Sequence, residues 1–284
     1  MGVTMAEGKP TRKAIRGEVI RVERLTPHMI RVVLGGDGLA GFGVGEFTDH
    51  YVKLLFPPQG VTYPPPFDLE RIQRELPRDQ WPTTRTYTVR AWDPETLELT
   101  IDFVHHGDSG LAGPWAAAVQ PGEEIHFFGP GGAYAPDHEA DWHLLVGDES
   151  ALPAIAAALE RLPAGAPAHV FVEVEGPEDE QPLDSPGDAK IVWFHRRGAE
   201  VGESLVTAVR ELDFPEGALH AFVHGEAAFV KTLRRHLRTE RGIPLSQLSI
   251  SGYWRVGRDD ETWRASKQEW NRRIEEEEAA ALSS

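Results

Sequence analysis

Four consecutive residues, Arg85-Thr86-Tyr87-Thr88, combine side chains that suit a phosphorylated aromatic ligand. An arginine offers two parallel N–H donors to a phosphate, a tyrosine ring offers a stacking face, and a threonine hydroxyl can hydrogen-bond a ring edge. In the predicted strand, alternation places Arg85 and Tyr87 on one face and Thr86 and Thr88 on the other. An Arg–Thr alternation on a solvent-facing strand explains the same tetrapeptide, so its interpretation depends on context.

A second group of candidates follows about a dozen residues later, where 102–107 (DFVHHG) end the next predicted strand. Residues 108–116 (DSGLAGPWA) have the composition of a Gly-rich turn that enters a helix. Free backbone N–H groups at a helix start form an anion site that suits a pyrophosphate. The turn at 127–132 (FFGPGG) then brings backbone close to whatever is bound.

A third group, 147–153 (GDESALP), lies between a predicted buried strand and a predicted helix. Ligands of α/β sheets bind at the carboxyl ends of such strands. The chain has no GxGxxG and no GxxxxGK[ST] segment, so neither the Rossmann fingerprint nor the P-loop is predicted. The 12 histidines include no HExxH pair, and we therefore expect no catalytic metal.

The elements that must position these groups change character near residues 136–141. Before that point the chain reads as six short runs of β-branched or apolar residues bounded by Gly, Pro and Asp, at 17–24, 28–34, 51–56, 85–92, 97–105 and 124–128. Such short runs favour a small antiparallel barrel over a βαβ fold.

After that point strands and helices alternate, which predicts parallel strands with crossover helices. The predicted strands are 142–147, 168–174, 190–194, 218–224 and 247–253, and the predicted helices are 150–162, 203–212 and 226–240. We therefore predict two domains, an antiparallel β-barrel over residues 14–137 and an α/β domain with a parallel sheet over 141–284.

Two further segments each allow two interpretations. Residues 57–84 carry seven of the 22 prolines and a short predicted helix at 67–76, which is typical either of a lid at a cofactor edge or of a plain excursion. Trp263, Lys267, Trp270 and Ile274 form one stripe of a helix predicted over 260–280. That helix either packs on the body of the protein or also covers the ligand cleft.

Composition excludes several classes of function. The 284 residues are 40% hydrophobic, and 29 Lys+Arg against 45 Asp+Glu give a net charge of −16, which disfavours nucleic acid and anionic membranes as partners. The chain has no cysteine, so disulfides, thiolate iron–sulfur clusters and cysteine nucleophiles are excluded. We read no signal peptide and no stretch of about 18 apolar residues, and so expect a cytoplasmic protein without membrane insertion.

Together these segments resemble one family. The specific pieces are RTYTVR (85–90), DFVHHG (102–107), GDESALPAI (147–155), VEVEGPEDEQPL (172–183), WFHRRG (193–198), HGEA (224–227) and SGYWRVGRDDE (251–261). From Arg16 to about Glu261 the chain resembles the siderophore-interacting proteins, flavin-dependent ferric-siderophore reductases within the ferredoxin–NADP reductase superfamily. The HGEA and SGYWRVG segments point to this branch.

The resemblance implies FAD in the first domain and NADH or NADPH as the electron donor at the second. It implies that Arg85 contacts the flavin phosphates, Tyr87 the isoalloxazine and Thr88 its reactive edge. The remaining implied FAD contacts are Asp102, Val104, His106, Gly107, Trp115 and Ala116. The implied nucleotide contacts are Gly147, Asp148, Glu149, Ser150, Gly225 and Glu226. No side chain is implied to be catalytic, because the flavin carries the electrons.

The resemblance further implies a ferric siderophore as substrate, held by Lys53, Arg255 and Arg258. Residues 252–273 contain six Lys or Arg against four Asp or Glu, which locally reverses the acidic charge of the chain. The family often has Ser-Arg-Trp where this chain has Gly113-Pro114-Trp115, so one candidate cation is missing.

Alternatives remain open at this point. The chain could be a general flavin or ferredoxin-type NAD(P)H reductase, or a siderophore-binding protein without catalytic activity. Ferredoxin is an alternative electron donor. His195-Arg196-Arg197 either meets the 2′-phosphate of NADPH or lies in a solvated loop, and the identity of the siderophore is not predicted.

Overall fold

A computed structural model describes residues 13–282, in which an antiparallel sheet is followed along the chain by a parallel one. The antiparallel strands are β1 (Ile15–Thr26), β2 (Met29–Gly35), β3 (Tyr51–Phe56), β4 (Thr83–Thr88), β5 (Ala91–Asp93), β6 (Glu98–Val104) and β7 (Glu124–Gly131). Their order is β4-β3-β7-β1-β2-β6-β5. The ring centroids of Tyr87 on β4 and Phe103 on β6 lie 4.3 Å apart, so the two ends of the sheet approach each other as in a barrel.

The prediction of one strand over 85–92 is wrong, because the chain turns a corner between β4 and β5. The Val89 amide donates to the carbonyl of His50 at 2.6 Å, and the next amide, Arg90, donates to the carbonyl of Thr100 at 2.9 Å. Two consecutive amides therefore serve two different strands. The alternation of side-chain types along 85–92 does not indicate where the chain changes its hydrogen-bonding partner strand.

The parallel sheet has five strands with its first strand in the middle. They are β8 (Trp142–Gly147), β9 (Pro167–Val174), β10 (Asp188–His195), β11 (Leu219–Glu226) and β12 (Leu248–Trp254). The order is β10-β9-β8-β11-β12, so the direction of winding reverses between β8 and β11. In open parallel sheets such a reversal point is where ligands bind, beyond the carboxyl ends of the strands. The predicted fold class, an antiparallel barrel followed by a parallel α/β domain, is confirmed.

Six α-helices are present in residues 13–282. They are α1 (Leu69–Glu75), α2 (Ala112–Ala118), α3 (Leu152–Leu159), α4 (Glu203–Glu211), α5 (Ala227–Arg235) and α6 (Asp260–Leu282). Every residue of β8 is buried, because apolar clusters cover both faces of the parallel sheet. None of these helices is long and apolar enough to cross a membrane.

The C-terminal helix α6 packs on the α/β domain along the predicted stripe. Trp263 and Ile274 are 1% and 3% exposed, and the indole N–H of Trp263 donates to the carbonyl of Tyr253 at 3.1 Å. The Lys267 ammonium donates to the Ser251 hydroxyl at 3.0 Å. The stripe is thus anchored to β12, which orients the start of the helix.

The two sheets are joined by ion pairs as well as by apolar contact. The His28 ring lies 2.8 Å from the Asp179 carboxylate, and the Arg90 guanidinium bonds both oxygens of Glu160. Met29 of β2 is buried in the same cluster as residues of β8 and β9. These contacts fix the barrel against the carboxyl half of the parallel sheet.

Candidate functional site

The strand β4 carries the three residues that the sequence singles out first. Tyr87 pairs in register with Val52 and Arg85 with Leu54, so Arg85 and Tyr87 share the face that turns toward the barrel interior. Burial raises the pKa of the Tyr87 phenol, so this ring is a neutral hydrogen-bond donor at any physiological pH. Thr88 is 9% exposed at the end of the strand.

The guanidinium of Arg85 is paired with the start of α6. It donates to the Asp260 carboxylate at 3.4 Å and to both carboxylate oxygens of Glu261. Arg264, one turn further along the helix, donates to the carbonyl of Thr84 at 3.0 Å. Arg85 is thus paired with two protein carboxylates in this structure, and a ligand phosphate at this position would compete with them.

Residues predicted around 102–116 fall into two groups. Trp115 is half-buried, with its ring 5.4 Å from Phe56 and 5.5 Å from Phe103, and Ala116 is fully buried. The Asp102 carboxylate is different, because it makes two bonds, of 2.7 and 2.8 Å, to the Arg31 guanidinium across β2 and β6. Asp102 therefore has a structural partner that the sequence did not indicate.

The turn after β6 brings α2 close to the end of the strand. A Cβ on Gly113 would lie 2.9 Å from the carbonyl oxygen of Val104, so a residue without a side chain is needed here. Gly107 has a φ of +60°, which also favours glycine.

His106 faces the α/β domain rather than the barrel interior alone. Its ring lies 6.0 Å from that of His28, and burial, together with the charges of His28 and Arg196, lowers its pKa. His106 is therefore neutral at pH 7. The β6–α2 turn and the end of β10 meet at this histidine.

At the carboxyl edge of the parallel sheet, Gly147 ends β8 and Gly225 lies next to the end of β11. A Cβ on Gly147 would lie 2.8 Å from the carbonyl oxygen of His224, and a Cβ on Gly225 would lie 2.6 Å from the Asp148 carboxylate. Gly225 also has a φ of +138°. Both glycines therefore allow the ends of β8 and β11 and the Asp148 turn to pack closely, directly below the reversal point where ligands of such sheets bind.

Asp148 joins the ends of three strands. It is 0% exposed and accepts from the Ser150 amide at 2.9 Å, the Glu226 amide at 2.8 Å and the Trp254 indole N–H at 2.8 Å. Burial raises its pKa, while these donors favour the ionised form. Asp148 therefore organises the edge, since its lone pairs are taken by protein donors.

Glu226 has a similar organising role at the start of α5. Its carboxylate caps the helix by accepting from the Ala228 amide at 2.5 Å, and it accepts from the Val256 amide at 3.3 Å. The second bond ties the segment after β12 to the end of β11. Ser150, by its hydroxyl bond to Asp148, belongs to the same cluster.

Glu149 belongs to a buried ion cluster that the sequence did not reveal. The Arg196 guanidinium donates to Glu149 at 3.2 Å, Glu173 at 3.3 Å and Glu175 at 3.1 Å. Arg196 follows β10, and the three carboxylates come from the ends of β8 and β9. The adjacency of β8, β9 and β10 would have suggested the cluster, because parallel strands bring their carboxyl ends to one edge.

The segment between β12 and α6 bridges the two halves of the candidate site. Val256 bonds Glu226 at the sheet edge, and Asp260 bonds Arg85 on β4. Four residues in extended conformation span at most about 14 Å. Arg255 and Arg258 lie on this bridge and, among residues 13–282, neither has a side-chain ion pair.

Lys53 lies on the strand next to β4 but on its other face. It pairs in register with Thr86, and both side chains are exposed. Lys53 has no ion pair within the described part of the chain. No group of His, Cys, Asp or Glu among residues 13–282 has the arrangement of a metal site.

The donor set of the barrel fits FAD. A cation that already holds anionic groups, a half-buried aromatic pair at Tyr87 and Trp115, and a buried hydroxyl at Thr88 lie on adjoining elements. They match the phosphates, the ring faces and the ring edge of a flavin dinucleotide in chemical type.

Comparison with known proteins agrees with this fit. The model of the siderophore-interacting FAD-binding domain matches residues 18–134, and that of the siderophore-interacting protein matches residues 140–257. The ferric vibriobactin reductase ViuB of Vibrio cholerae is 34% identical, over 88% of this chain and 92% of its own. An NADPH-dependent ferric-chelate reductase of Escherichia coli is 31% identical, over 83% and 91%.

A solved structure extends the similarity to three dimensions. The siderophore-interacting protein SipS of Aeromonas hydrophila superposes with a TM-score of 0.77 at 31% identity, covering 92% of this chain and 98% of that one. The two family models together span both sheets. The chain belongs to the siderophore-interacting protein family, whose FAD-binding domain forms its barrel.

Proposed function

We propose that this protein is an NAD(P)H-dependent ferric-siderophore reductase, with FAD bound by a barrel domain of residues 14–137 and the nucleotide by an α/β domain of residues 141–284. The observation that carries the proposal is the bridge from Val256 to Asp260. It ties the end of β11 to Arg85, and Arg255 directly before it and Arg258 within it have no side-chain ion pair among residues 13–282. The donor site, the flavin site and an anion-attracting surface are thus adjacent.

In the barrel, the proposed task of the chain is to orient the flavin. Arg85 binds phosphate oxygens, Tyr87 packs on the ring system and Thr88 hydrogen-bonds its edge, while Trp115 and Ala116 close the site. Val104, His106 and Gly107 line the path toward the α/β domain. Bound FAD supplies the step from a two-electron donor to a one-electron acceptor.

At the parallel sheet, the proposed task is to bring the nicotinamide close to the barrel. Gly147 and Gly225 let β8, β11 and the Asp148 turn pack closely, and Asp148 holds the ends of β8, β11 and β12 in register. Glu149, Ser150 and Glu226 fix the surrounding turns. One NAD(P)H gives up a hydride, and the two electrons reduce two ferric ions, with one proton released.

We propose that the exposed cations Lys53, Arg255 and Arg258 attract an anionic ferric siderophore, Lys53 from β3 and the two arginines from the segment before α6. The chain carries a net charge of −16, so only a local excess of cations can concentrate such a substrate. Reduction to Fe(II) weakens the hold of hard oxygen ligands, and the iron leaves the siderophore. The ViuB and Escherichia coli relatives are named for reactions of this class.

We place this reaction in the cytoplasm, where the proposed nucleotide donor is available. Ferredoxin as an alternative donor has no support in the comparisons and is left out of the proposal. A general flavin reductase and a binding protein without activity are the two competing functions. A general flavin reductase would pass its electrons to an acceptor other than a ferric siderophore. A binding protein would transfer no electrons.

The test is anaerobic. The purified FAD-loaded protein is reduced by NADH or NADPH while the flavin absorbance is followed, and it is then mixed with a panel of ferric siderophores in the presence of an Fe(II) chelator. We expect bleaching by a nucleotide, and reoxidation with stoichiometric Fe(II). If the reduced protein is reoxidised by added free flavin and by none of the ferric siderophores, it is a general flavin reductase. If the protein does not take up FAD, the proposal is refuted.

Variants locate the substrate surface. Lys53→Ala and Arg255→Ala are expected to raise KM for an anionic ferric siderophore about fivefold at low salt and to leave flavin reduction unchanged. Lys190→Ala, an exposed cation on the edge strand β10, is the matched control with the same change in net charge. Equal effects of all three variants would assign the role to net charge instead of to this surface.

A further inference from the structure

The carboxyl ends of β8, β9 and β10 carry four carboxylates and two arginines. Asp148 and Glu149 follow β8, and Glu173 and Glu175 lie at the end of β9. Arg196 and Arg197 follow β10 and are the candidate cations of the WFHRRG segment. Their availability decides which nucleotide this edge can accept.

Arg196 is unavailable to a ligand. Its side chain is 8% exposed and bonded to Glu149, Glu173 and Glu175, of which the first two are 6% and 1% exposed. A phosphate that took this guanidinium would leave two carboxylates buried without a counterion, which is strongly unfavourable. The two buried carboxylates therefore keep Arg196 paired within the protein and unavailable to a ligand phosphate.

Glu175 remains available to a ligand. Its side chain is 35% exposed, and one oxygen accepts from the Gly198 amide at 3.0 Å while the other accepts from Arg196. Each carboxylate oxygen has a second lone pair. An ionised carboxylate accepts hydrogen bonds from ribose hydroxyls and repels a phosphate ester at the same place.

The position of Glu175 matches that role. In folds that bind dinucleotides at the end of the first strand, an acid at the end of the next strand bonds the ribose 2′-hydroxyl, and an arginine there accommodates a 2′-phosphate. Here β8 is the first strand of the sheet and β9 its neighbour, and Glu175 directly follows β9. Arg197 is exposed, and its amide donates to the carbonyl of Glu175 at 3.0 Å, so these two residues are neighbours at the ends of β10 and β9.

We propose that this edge selects a nucleotide without a 2′-phosphate, so that NADH is the donor, with Glu175 as the residue that excludes NADPH. The inference rests on the proposed function, and it separates this chain from the Escherichia coli relative, whose name specifies NADPH. It assigns Arg196 to holding the carboxylates in place, and not to the ligand.

The first experiment measures binding without turnover. Calorimetric titration of the FAD-loaded protein with 5′-AMP and with 2′,5′-ADP compares two probes that differ only in the 2′-phosphate. We expect 5′-AMP to bind at least tenfold more tightly to the wild type. Equal or tighter binding of 2′,5′-ADP would overturn the inference.

The second experiment assigns the selectivity to one residue. Glu175→Gln is expected to reduce the ratio of the two affinities about tenfold, and to narrow the NADH/NADPH ratio of flavin-reduction rates to a similar extent. Glu216→Gln, an exposed carboxylate before β11 at the opposite edge of the sheet, is the matched control and is expected to retain the wild-type ratio. An unchanged ratio in Glu175→Gln overturns the role of that residue.

The outcomes also separate this inference from the proposed function. Faster reduction of the flavin by NADPH than by NADH would overturn the selectivity and support the reductase activity. Reduction by neither nucleotide would refute both. The wild-type ratio requires no variant, so a folding defect in Glu175→Gln leaves the main measurement intact.

Discussion

Replacing Glu261 by glutamine is expected to strengthen the binding of FAD. In this structure the guanidinium proposed for the flavin phosphates is paired with Glu261 and Asp260 at the start of α6. A phosphate at Arg85 must displace or share these carboxylates. Removing one of the two competing charges therefore lowers the free energy that FAD binding has to supply.

The size of the effect follows from the exposure of the pair. The Arg85 side chain is 17% exposed and that of Glu261 is 55% exposed, so water screens one side of the interaction. Pairs of this kind contribute up to about 1 kcal/mol. That energy corresponds to a dissociation constant for FAD about fivefold lower in Glu261→Gln than in the wild type.

The assay is a titration of the apoprotein with FAD, in which binding is monitored by the quenching of flavin fluorescence. Glu275→Gln removes the same charge from the exposed surface of the same helix and is expected to change little. Arg85→Met is expected to weaken FAD binding at least tenfold. Weaker binding in Glu261→Gln would refute the reasoning, because it would mean that Glu261 orients Arg85 toward the phosphate instead of competing with it.

Three further predictions concern the parallel sheet. Asp148→Asn replaces an acceptor of several N–H groups by a side chain with donors of its own, and we expect it to lower the free energy of unfolding in urea by about 3 kcal/mol; a loss under 1 kcal/mol would contradict its role. Gly225→Ala, at a φ of +138°, is expected to lower the free energy of unfolding by about 2 kcal/mol and to abolish 5′-AMP binding in the calorimetric assay. Unchanged binding would show that the nucleotide site does not need a glycine at this position. Burial lowers the pKa of His143 to about 4 from 6.5, so the unfolded chain takes up a proton below pH 6.5 before the folded one does, and stability falls with pH down to about 4. Between pH 7 and pH 5, the free energy of unfolding in urea should therefore fall by about 2 kcal/mol less in His143→Leu than in the wild type. Equal decreases in the two proteins would contradict a lowered pKa of His143.

Much of the fold was readable because its signals are local. The strands at 51–56 and 142–147 were predicted with the bounds that the structure has, since Pro57 ends one and a buried apolar run defines the other. The alternation of strands and helices after residue 141 likewise predicted a parallel sheet. The boundary that failed, within 85–92, depends on which strand each amide bonds, and that choice is not local.

In the candidate site, too, the local features could be predicted and the long-range contacts could not. Gly147 and Arg85 could be singled out from residue type and spacing, and Gly225 from the family resemblance. The partners of Arg85 and Arg196 could not, because Glu261 lies 176 residues from Arg85, and Glu149 lies 47 residues from Arg196. Charge pairing at such separations depends on how strands and helices are arranged.

By itself, the sequence determined the two-domain architecture, the types of side chain that a flavin dinucleotide and a nucleotide require, and the exclusion of cysteine chemistry. Residue type and periodicity suffice for these because each residue contributes its chemistry and its local preference independently of distant neighbours. Only the tertiary structure decided which charges remain available to a ligand. The acidic start of α6 pairs with Arg85, and three carboxylates pair with Arg196, while Arg255 and Arg258, before α6, have no ion pair within the described part of the chain. A charge acts on a ligand only through what its neighbours leave uncompensated, and those neighbours are assembled by folding.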